Sequence, residues 1–501
     1  MKRMTRLLAT ASILLILCSC QAQPPASDRL VIGLNSKPAS LDPRYAKDAA
    51  GQRLLSLMFH SFVRVGPKLQ VIGDAAQSWS WNGPILTLDV PKPLTFHNGR
   101  PVNDQDLLFT FEAYRERDCP FRSSLEGLKK VKVQESETSF EVKLEFEKFS
   151  AKFLASDLPI IRILPKDIVL EQGKDFGLNP IGSHHYQFES RKDGSIFLRL
   201  SDHKASENIA IKKLEFKSVA DEFTLMSKLK KGRIHIVQND LPKDKVLGLR
   251  QDKNLKVVTY PGLAFTYILV NLKNPTLKKR QVREALARSL DLDQIIEFKL
   301  GGLAERATGL LSPATAFYDS SIKPIAYDLS KAQTLIKSLG SFQAPLTLKT
   351  SQQRSARDTG RVLAKMMSQS GLKVKIESTE WATFFESVQK GQFDLATMKW
   401  VGAIDPDLYR IAFHSSEVHP GRNRGAYLNS ELDQLLDEGL FIADEQKRQQ
   451  HYFKVQKIVF EDLAVLPLWY DQQVAVIHKS VKGYKPVATS DYFPVLKATL
   501  N

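Results

Sequence analysis

Chemistry in a protein needs side chains that exchange protons, bind metals or attack electrophiles, so the ten histidines and three cysteines are weighed first. His184 and His185 are adjacent. Neighbours in a strand point to opposite faces, so this pair is a poor chelate unless it lies on a turn, and a polar turn is the expectation. His414 and His419 stand close enough to share a loop, but no carboxylate is spaced to complete a metal site. A nucleophilic Cys119 would need a histidine partner, and its surroundings, Arg117-Asp118-Cys119-Pro120, offer nothing distinctive. The chain has no GxSxG elbow, no GxxxxGK[ST] loop, no HExxH and no CxxC. Acidic pairs such as Asp437-Glu438 read as a solvated helix face. No catalytic residue, metal site or cofactor is therefore assigned.

A chain of 501 residues exceeds one core and predicts at least two packed units. Apolar residues make up 43% and charged residues 25%, which excludes a disordered chain. Three cysteines exclude a disulfide scaffold. The net charge of +16 reads as a dispersed, solvated basic surface. Its clusters, Lys129-Lys130, Lys228 to Arg233 and Lys278 to Arg280, lack interleaved aromatics, so nucleic acid is not an expected partner.

At the N-terminus, Lys2, Arg3 and Arg6 precede an apolar stretch from Leu7 to Leu17. This is the pattern of an export signal, too short for a permanent span of about 20 residues. It ends Leu17-Cys18-Ser19-Cys20-Gln21, which resembles a bacterial lipobox. Residues 1–19 are expected to be the signal, Cys20 to carry lipid, and residues 20–28 to be a polar tether. Cys20 is preferred to Cys18 because small side chains normally precede the cut. The expected location is a bacterial membrane, facing the periplasm or exterior.

The elements that must position any site are legible in patches. Leu30 to Leu34 is a buried strand entering a loop; Ile85 to Val90 is a strand ended by prolines. Phe140, Val142, Leu144 and Phe146 alternate as a half-buried strand. Asp193-Gly194 between Tyr186-Gln187-Phe188 and Ile196-Phe197-Leu198 predicts a hairpin. The first half thus leans towards antiparallel pairing. In the second half, strand Leu346–Leu348, a helix carrying Val362, Leu363, Met366 and Met367, a stop near Gly371 and strand residues Leu372, Val374 and Ile376 form a βαβ unit. Asp328 caps a helix ending at Gly340. Composition shifts near Pro261-Gly262, which is the best boundary from pattern alone.

Six stretches, in order, carry a resemblance. They are Ser40-Leu41-Asp42-Pro43; Phe96 to Asp106; Val282-Arg283-Glu284-Ala285-Leu286 with Ser289-Leu290-Asp291; Tyr327-Asp328 with Lys331-Ala332 and Leu335; Glu380-Trp381-Ala382-Thr383-Phe384; and Gly391-Gln392-Phe393-Asp394 through Trp400. Together the chain resembles the family-5 extracellular solute-binding proteins, the oligopeptide- and dipeptide-binding receptors of ABC importers, from Leu30 to its end.

The resemblance implies an α/β, periplasmic-binding-protein-like fold: two α/β lobes with a hinge, plus a β-rich domain inserted in the first. Lobe 1 would comprise 29–50, 175–263 and 472–501, the insertion 51–174, and lobe 2 264–471. Chain crossings would fall near Ala264 to Asn271 and Leu466 to Val476. The implied function is non-enzymatic: the lobes close on a peptide or similar small solute, and a monomeric, lipid-anchored receptor delivers it to an ABC permease. A role in presenting the ligand to a membrane sensor gives the same sequence. By the resemblance, Lys399, Trp400, Val401, Gly402 and Ala403 would pair with ligand backbone as an added strand, and Trp381 and Trp400 would line the cavity. Departures are informative. Ala403 stands where the peptide receptors carry an ammonium-binding aspartate, and Asp405 is the nearest replacement. Val388 and Thr397 stand where those receptors carry arginines. Gly182-Ser183-His184-His185-Tyr186 replaces a "GTGPY" turn, which puts His184 and His185 among the candidate ligand residues. These departures leave open a non-peptide cargo, such as a sugar, opine or metallophore; a secreted hydrolase is the rival of a different class.

Overall fold

The structure is a computed structural model that describes residues 29–501 other than 68, 151, 205, 206, 341, 343, 403, 419 and 420. The signal, Cys20, the tether and Ala403 therefore lie outside the described residues.

One sheet of eleven strands runs through the molecule. Its main path is Val374–Thr379, Leu346–Ser351, Leu395–Trp400, Leu255–Val270, Val465–His478, Ile236–Gln238, Arg29–Leu34, Lys213–Ser218, Ser195–Leu200 and Tyr186–Lys192. Ala304–Arg306 adds to Val465–His478. The expected hairpin is present, with Asp193 and Gly194 both at positive φ. Leu346–Ser351 and Val374–Thr379 pair in parallel across the helix Arg354–Ser368, and Gly371 at φ +102 turns the chain between them. Asp328 caps Leu329–Ser338 by accepting from the Lys331 N–H.

The first half pairs mostly antiparallel, as expected, but its central strand Arg29–Leu34 pairs in parallel with both Lys213–Ser218 and Ile236–Gln238. Both its faces are covered, so its apolar run is continuous and shows no alternation. The strand Leu255–Val270, which crosses between the lobes, passes through Pro261-Gly262 without a break. The composition shift marks a bulge, where pairing jumps from Tyr260 with Gln473 to Ala264 with Asp471. Pro261 supplies no N–H to this gap, and a side chain on Gly262 would run into the Asp471 carbonyl.

The long antiparallel pair Leu255–Val270 and Val465–His478 joins two lobes. On one side of it lie the parallel strands Arg29–Leu34, Lys213–Ser218 and Ile236–Gln238; on the other lie Leu346–Ser351, Val374–Thr379 and Leu395–Trp400. A separate antiparallel sheet, in the order Ser78–Asn82, Ile85–Pro91, Ser139–Phe146, Leu128–Glu135, shares one continuous apolar core with the first lobe, from Leu30 and Ile32 through Phe59 to Leu88 and Phe140. The second lobe packs two cores, one on each face of its strands: Phe265, Tyr267 and Met398 on one, Ile268, Leu348 and Leu395 on the other. Among the described residues no helix is long and apolar enough to cross a membrane.

Candidate functional site

In open α/β sheets ligands gather at the carboxyl ends of the parallel strands. At that edge of the second lobe stand Ser351, Thr379 and Trp400, and at that edge of the first stand Leu34, Ser218 and Gln238. The chain leaves Thr379 and starts a helix at once, Trp381–Gln389, capped by the Glu380 carboxylate accepting from the Ala382 and Thr383 N–H groups. This cap projects Trp381 at the first helical position, 57% exposed and stacked on Phe385 one turn below (5.7 Å, 17°). A tryptophan this exposed, in a protein that buries most of its large aromatics, is free contact area.

Trp400 is half-buried beside Phe265, its indole N–H facing the Tyr267 hydroxyl. Val401, 75% exposed, and Gly402 at φ +76 follow, with Gly402 N–H donating to the Leu263 carbonyl. Lys399 Nζ meets Asp471 Oδ2 at 2.5 Å, and Lys243 from the first lobe meets Asp471 Oδ1 at 2.5 Å. One carboxylate on a crossing strand thus links ammonium groups from both lobes. Burial alone would raise the Asp471 pKa; Lys399 and Lys243 outweigh it and hold the carboxyl below its ordinary value. Neither Asp471 nor Lys243 was singled out from sequence. The available signal is a lone acid after the apolar run Val465 to Tyr470.

Asp405 departs from its expected role. It is buried, and Arg448 grips it through Nη2–Oδ1 at 2.8 Å and Nη1–Oδ2 at 3.1 Å. The same Nη2 reaches Asp407 Oδ1 at 2.7 Å, and Tyr452 donates to that oxygen at 2.5 Å. Asp405 Oδ1 also accepts the Asp407 N–H, the Asx turn that Asp-Pro favours. A ligand ammonium would have to break a buried bidentate pair to reach it.

His184 and His185 lie in the first lobe, where the chain enters Tyr186–Lys192. His184 is buried, and its Nδ1 accepts the His185 backbone N–H at 2.8 Å. Its proton therefore sits on Nε2 and is donated to Asp74 Oδ1 at 3.1 Å. His185 Nδ1 lies 2.6 Å from His184 Nδ1 and its Nε2 lies 3.2 Å from Glu207, which completes a polar chain from Asp74 to Glu207. His60, Asp74 and His184 come within coordinating reach of one another. The tautomer opposes a metal there: ligation through Nε2 would strip His184 of its remaining ring proton while Nδ1 still faces an N–H. Burial lowers the His184 pKa to about 4. Burial would raise Asp74, but His184 outweighs it and holds the carboxyl well below the carboxylate range. Cys119 is buried, donates to the Arg44 carbonyl at 3.4 Å, and has its thiol pushed up by burial.

The sequence profile described as "Bacterial extracellular solute-binding proteins, family 5 Middle" matches residues 70–419. The chain is 26% identical to the oligopeptide-binding protein AppA of Bacillus subtilis, over 95% of this chain and 92% of that one. It is 27% identical to di/tripeptide-binding protein 1 of Pseudomonas aeruginosa, over 94% of each. The structure superposes on AppA in complex with a nonapeptide at a TM-score of 0.70, covering 94% of this chain and 99% of that one. On the murein tripeptide binding protein MppA, in its unliganded open form and 21% identical, the score is 0.83, covering 95% and 97%. With its two lobes joined by paired crossing strands, this chain belongs to the family-5 bacterial extracellular solute-binding proteins and is a binding protein, not an enzyme.

Proposed function

We propose that this protein is the substrate-binding component of an ABC importer and that it captures a peptide by closing its two lobes. The observation that carries this reading is the exposed Trp381 at the strand edge of the second lobe, the same edge at which Trp400 pairs with a crossing strand. Closure would bury that aromatic surface against the ligand, which makes it worth more in the closed state than in the open one. The relatives named as peptide-binding proteins support the cargo class. The better superposition on an open unliganded protein than on a peptide complex, although the latter is closer in sequence, supports an open conformation that differs from a closed one by lobe movement.

In this reading lobe 1 is 29–50, 175–263 and 472–501, the insertion is 51–174, and lobe 2 is 264–471. Lys399 to Ala403 offer backbone to the ligand, whereas His184 and His185 stand at the end of the first lobe's strands opposite Leu34 and Ser218 and are spent on Asp74 and Glu207. Cys20 carries the lipid that keeps a monomeric receptor near its permease.

The test is titration calorimetry with peptides of two to nine residues, paired with small-angle scattering. Binding should lower the radius of gyration, and Trp381→Ala should weaken affinity about tenfold or more, or about 1.4 kcal/mol. Saturable binding with unchanged scattering would remove the closure step. A second reading, a non-peptide solute, draws on one observation: both oxygens of Asp405 are committed to Arg448, so the ammonium partner expected there is engaged elsewhere.

A further inference from the structure

Part of the net charge of +16 gathers at one end of the first lobe. Arg29–Leu34, Lys213–Ser218 and Ile236–Gln238 are parallel and start at that end, with Arg29 beside Lys213. The crossing strands reach it too: Leu255 pairs with His478, and the His478 N–H donates to the His235 carbonyl at 2.7 Å. The turns here carry exposed cations. Lys212 precedes Lys213–Ser218, Lys231 and Arg233 precede Ile236–Gln238, Lys253 precedes Leu255–Val270, and Lys479 follows Val465–His478. Gly232 lies against the His478 ring, and the Lys479 N–H donates to the Asn254 carbonyl at 2.8 Å, which draws three of these turns together. Among the described residues none of the five cations is in an ion pair. Neighbouring acids are engaged elsewhere: Asp252 faces Lys230 at 3.8 Å, Asp202 faces Arg199 at 2.7 Å and Glu207 faces His185 at 3.2 Å.

Like charges gathered on one face repel each other and gain from an anionic surface laid against them. The chain brings such a surface within reach. The tether enters the fold at Arg29, in the midst of these turns, and the stretch from Cys20 to Asp28 can span at most about 30 Å. None of the large apolar side chains that the protein exposes lies in these turns. A protein partner would call for such anchors, whereas lipid headgroups call for charge alone. The cleft edge at Leu34, Ser218 and Gln238 is the other end of the same strands, about 17 Å away, so a bilayer on the basic end leaves the cleft facing away from it.

We infer that this basic end of the first lobe rests on anionic phospholipid headgroups of the membrane that holds the tether, with the cleft turned outward. The inference rests on the lipid-anchor reading above, which brings the face to a bilayer, and adds an orientation to it. The experiment tests the surface and the anchor separately.

The chain from residue 20, which holds every described residue, is made with Cys20→Ser so that no lipid contributes. Its flotation is measured with vesicles of phosphatidylcholine alone and of phosphatidylcholine with about one third phosphatidylglycerol. It should bind the mixed vesicles, ignore the neutral ones, and be released as salt rises from about 0.1 M to about 1 M, where the screening length falls from about 10 Å to about 3 Å. Each cation at such a surface is worth about fivefold in partition, so Lys231→Glu with Arg233→Glu and Lys479→Glu should lower it on the order of a hundredfold. The same charge change at Lys129, Lys130 and Lys132, exposed on the inserted sheet, should lower it less than about tenfold. The lipid and salt arms use the native charges, so they decide the matter even if a variant misfolds. No binding to the mixed vesicles, equal binding to both kinds, binding that survives high salt, or equal losses in the two triple variants overturns the inference. Cells that lose solute uptake with the first triple variant, while the native charges show no affinity for vesicles, would assign the face to a protein partner and overturn it equally. The mass of the N-terminal peptide from membrane-extracted protein tests the anchor. An unmodified Cys20 beside vesicle binding of the expected kind removes the anchor and leaves the surface standing.

Discussion

Arg448 is gripped by two buried carboxylates, and the arithmetic of that cluster shows why single residues here read differently in sequence and in space. Burial alone would lower the Arg448 pKa; Asp405, followed by Asp407, outweighs it and drives it up. Burial and the neighbouring Asp405 push Asp407 up. Removing the shared cation leaves two desolvated acids, so Arg448→Met should cost about 3–5 kcal/mol in urea unfolding, whereas Asp405→Asn, which retains an acceptor, should cost less. Equal costs would mean that the cluster is not held by charge. Nothing near Asp405 in sequence announces this: Arg448 lies in the helix Glu445–Glu461, and only the packing of that helix brings the two together. Trp381 was reached through the resemblance alone, and the Glu380 cap and Phe385 that hold it exposed are local along the chain. Arg424 and Asp471 were not reached, since an arginine in a polar loop and an acid in a strand have no visible partner until the chain folds.

Strands and helices were recovered where the pattern was local, and the ladder between them was not. His235 is the clearest instance. It precedes Ile236–Gln238 and bonds across to Arg29–Leu34 twice, its N–H donating to the Val31 carbonyl at 2.8 Å and its Nδ1 accepting the Val31 N–H at 2.9 Å. Burial, then the charge of His478, lowers its pKa to about 4. The folded value lies below the unfolded value of about 6.5, so the neutral ring contributes stability that is whole above roughly pH 6.5 and is lost as pH falls towards 4. Protonation would remove the acceptor that Val31 uses. The free energy of unfolding should therefore fall more steeply between pH 7.5 and 4.5 in the native protein than in His235→Gln, by roughly 3 kcal/mol at most. Parallel curves would show that this ring does not govern the slope.

Across the entire protein the two crossing strands carry the mechanical burden, because any lobe movement must pass through them. Gly262 sits in the bulge between them, where a side chain would strike the Asp471 carbonyl on the facing strand. Gly262→Ala should lower stability by about 1–3 kcal/mol and shift the ligand-free scattering profile, since the bulge must widen to admit a methyl group. A variant with native stability and native scattering would show that the bulge yields freely. Lys243, Asp471 and Lys399 meet at the same crossing, so disturbing the bulge also disturbs the ion group that links the lobes.

By itself the sequence determined the globular class, the hairpin at Asp193-Gly194, the βαβ unit around Arg354–Ser368 and, through six ordered motifs, the family. All of these depend on contacts between residues close along the chain, where periodicity, caps and turn residues speak directly. Only the tertiary structure decided that Arg29–Leu34 pairs in parallel, that Pro261-Gly262 is a bulge in a continuous strand, that Asp405 belongs to Arg448 and that Arg424 stacks on Phe385. Each of these turns on which charges and which backbone groups share a low-dielectric space, and that proximity is a property of packing rather than of order along the chain.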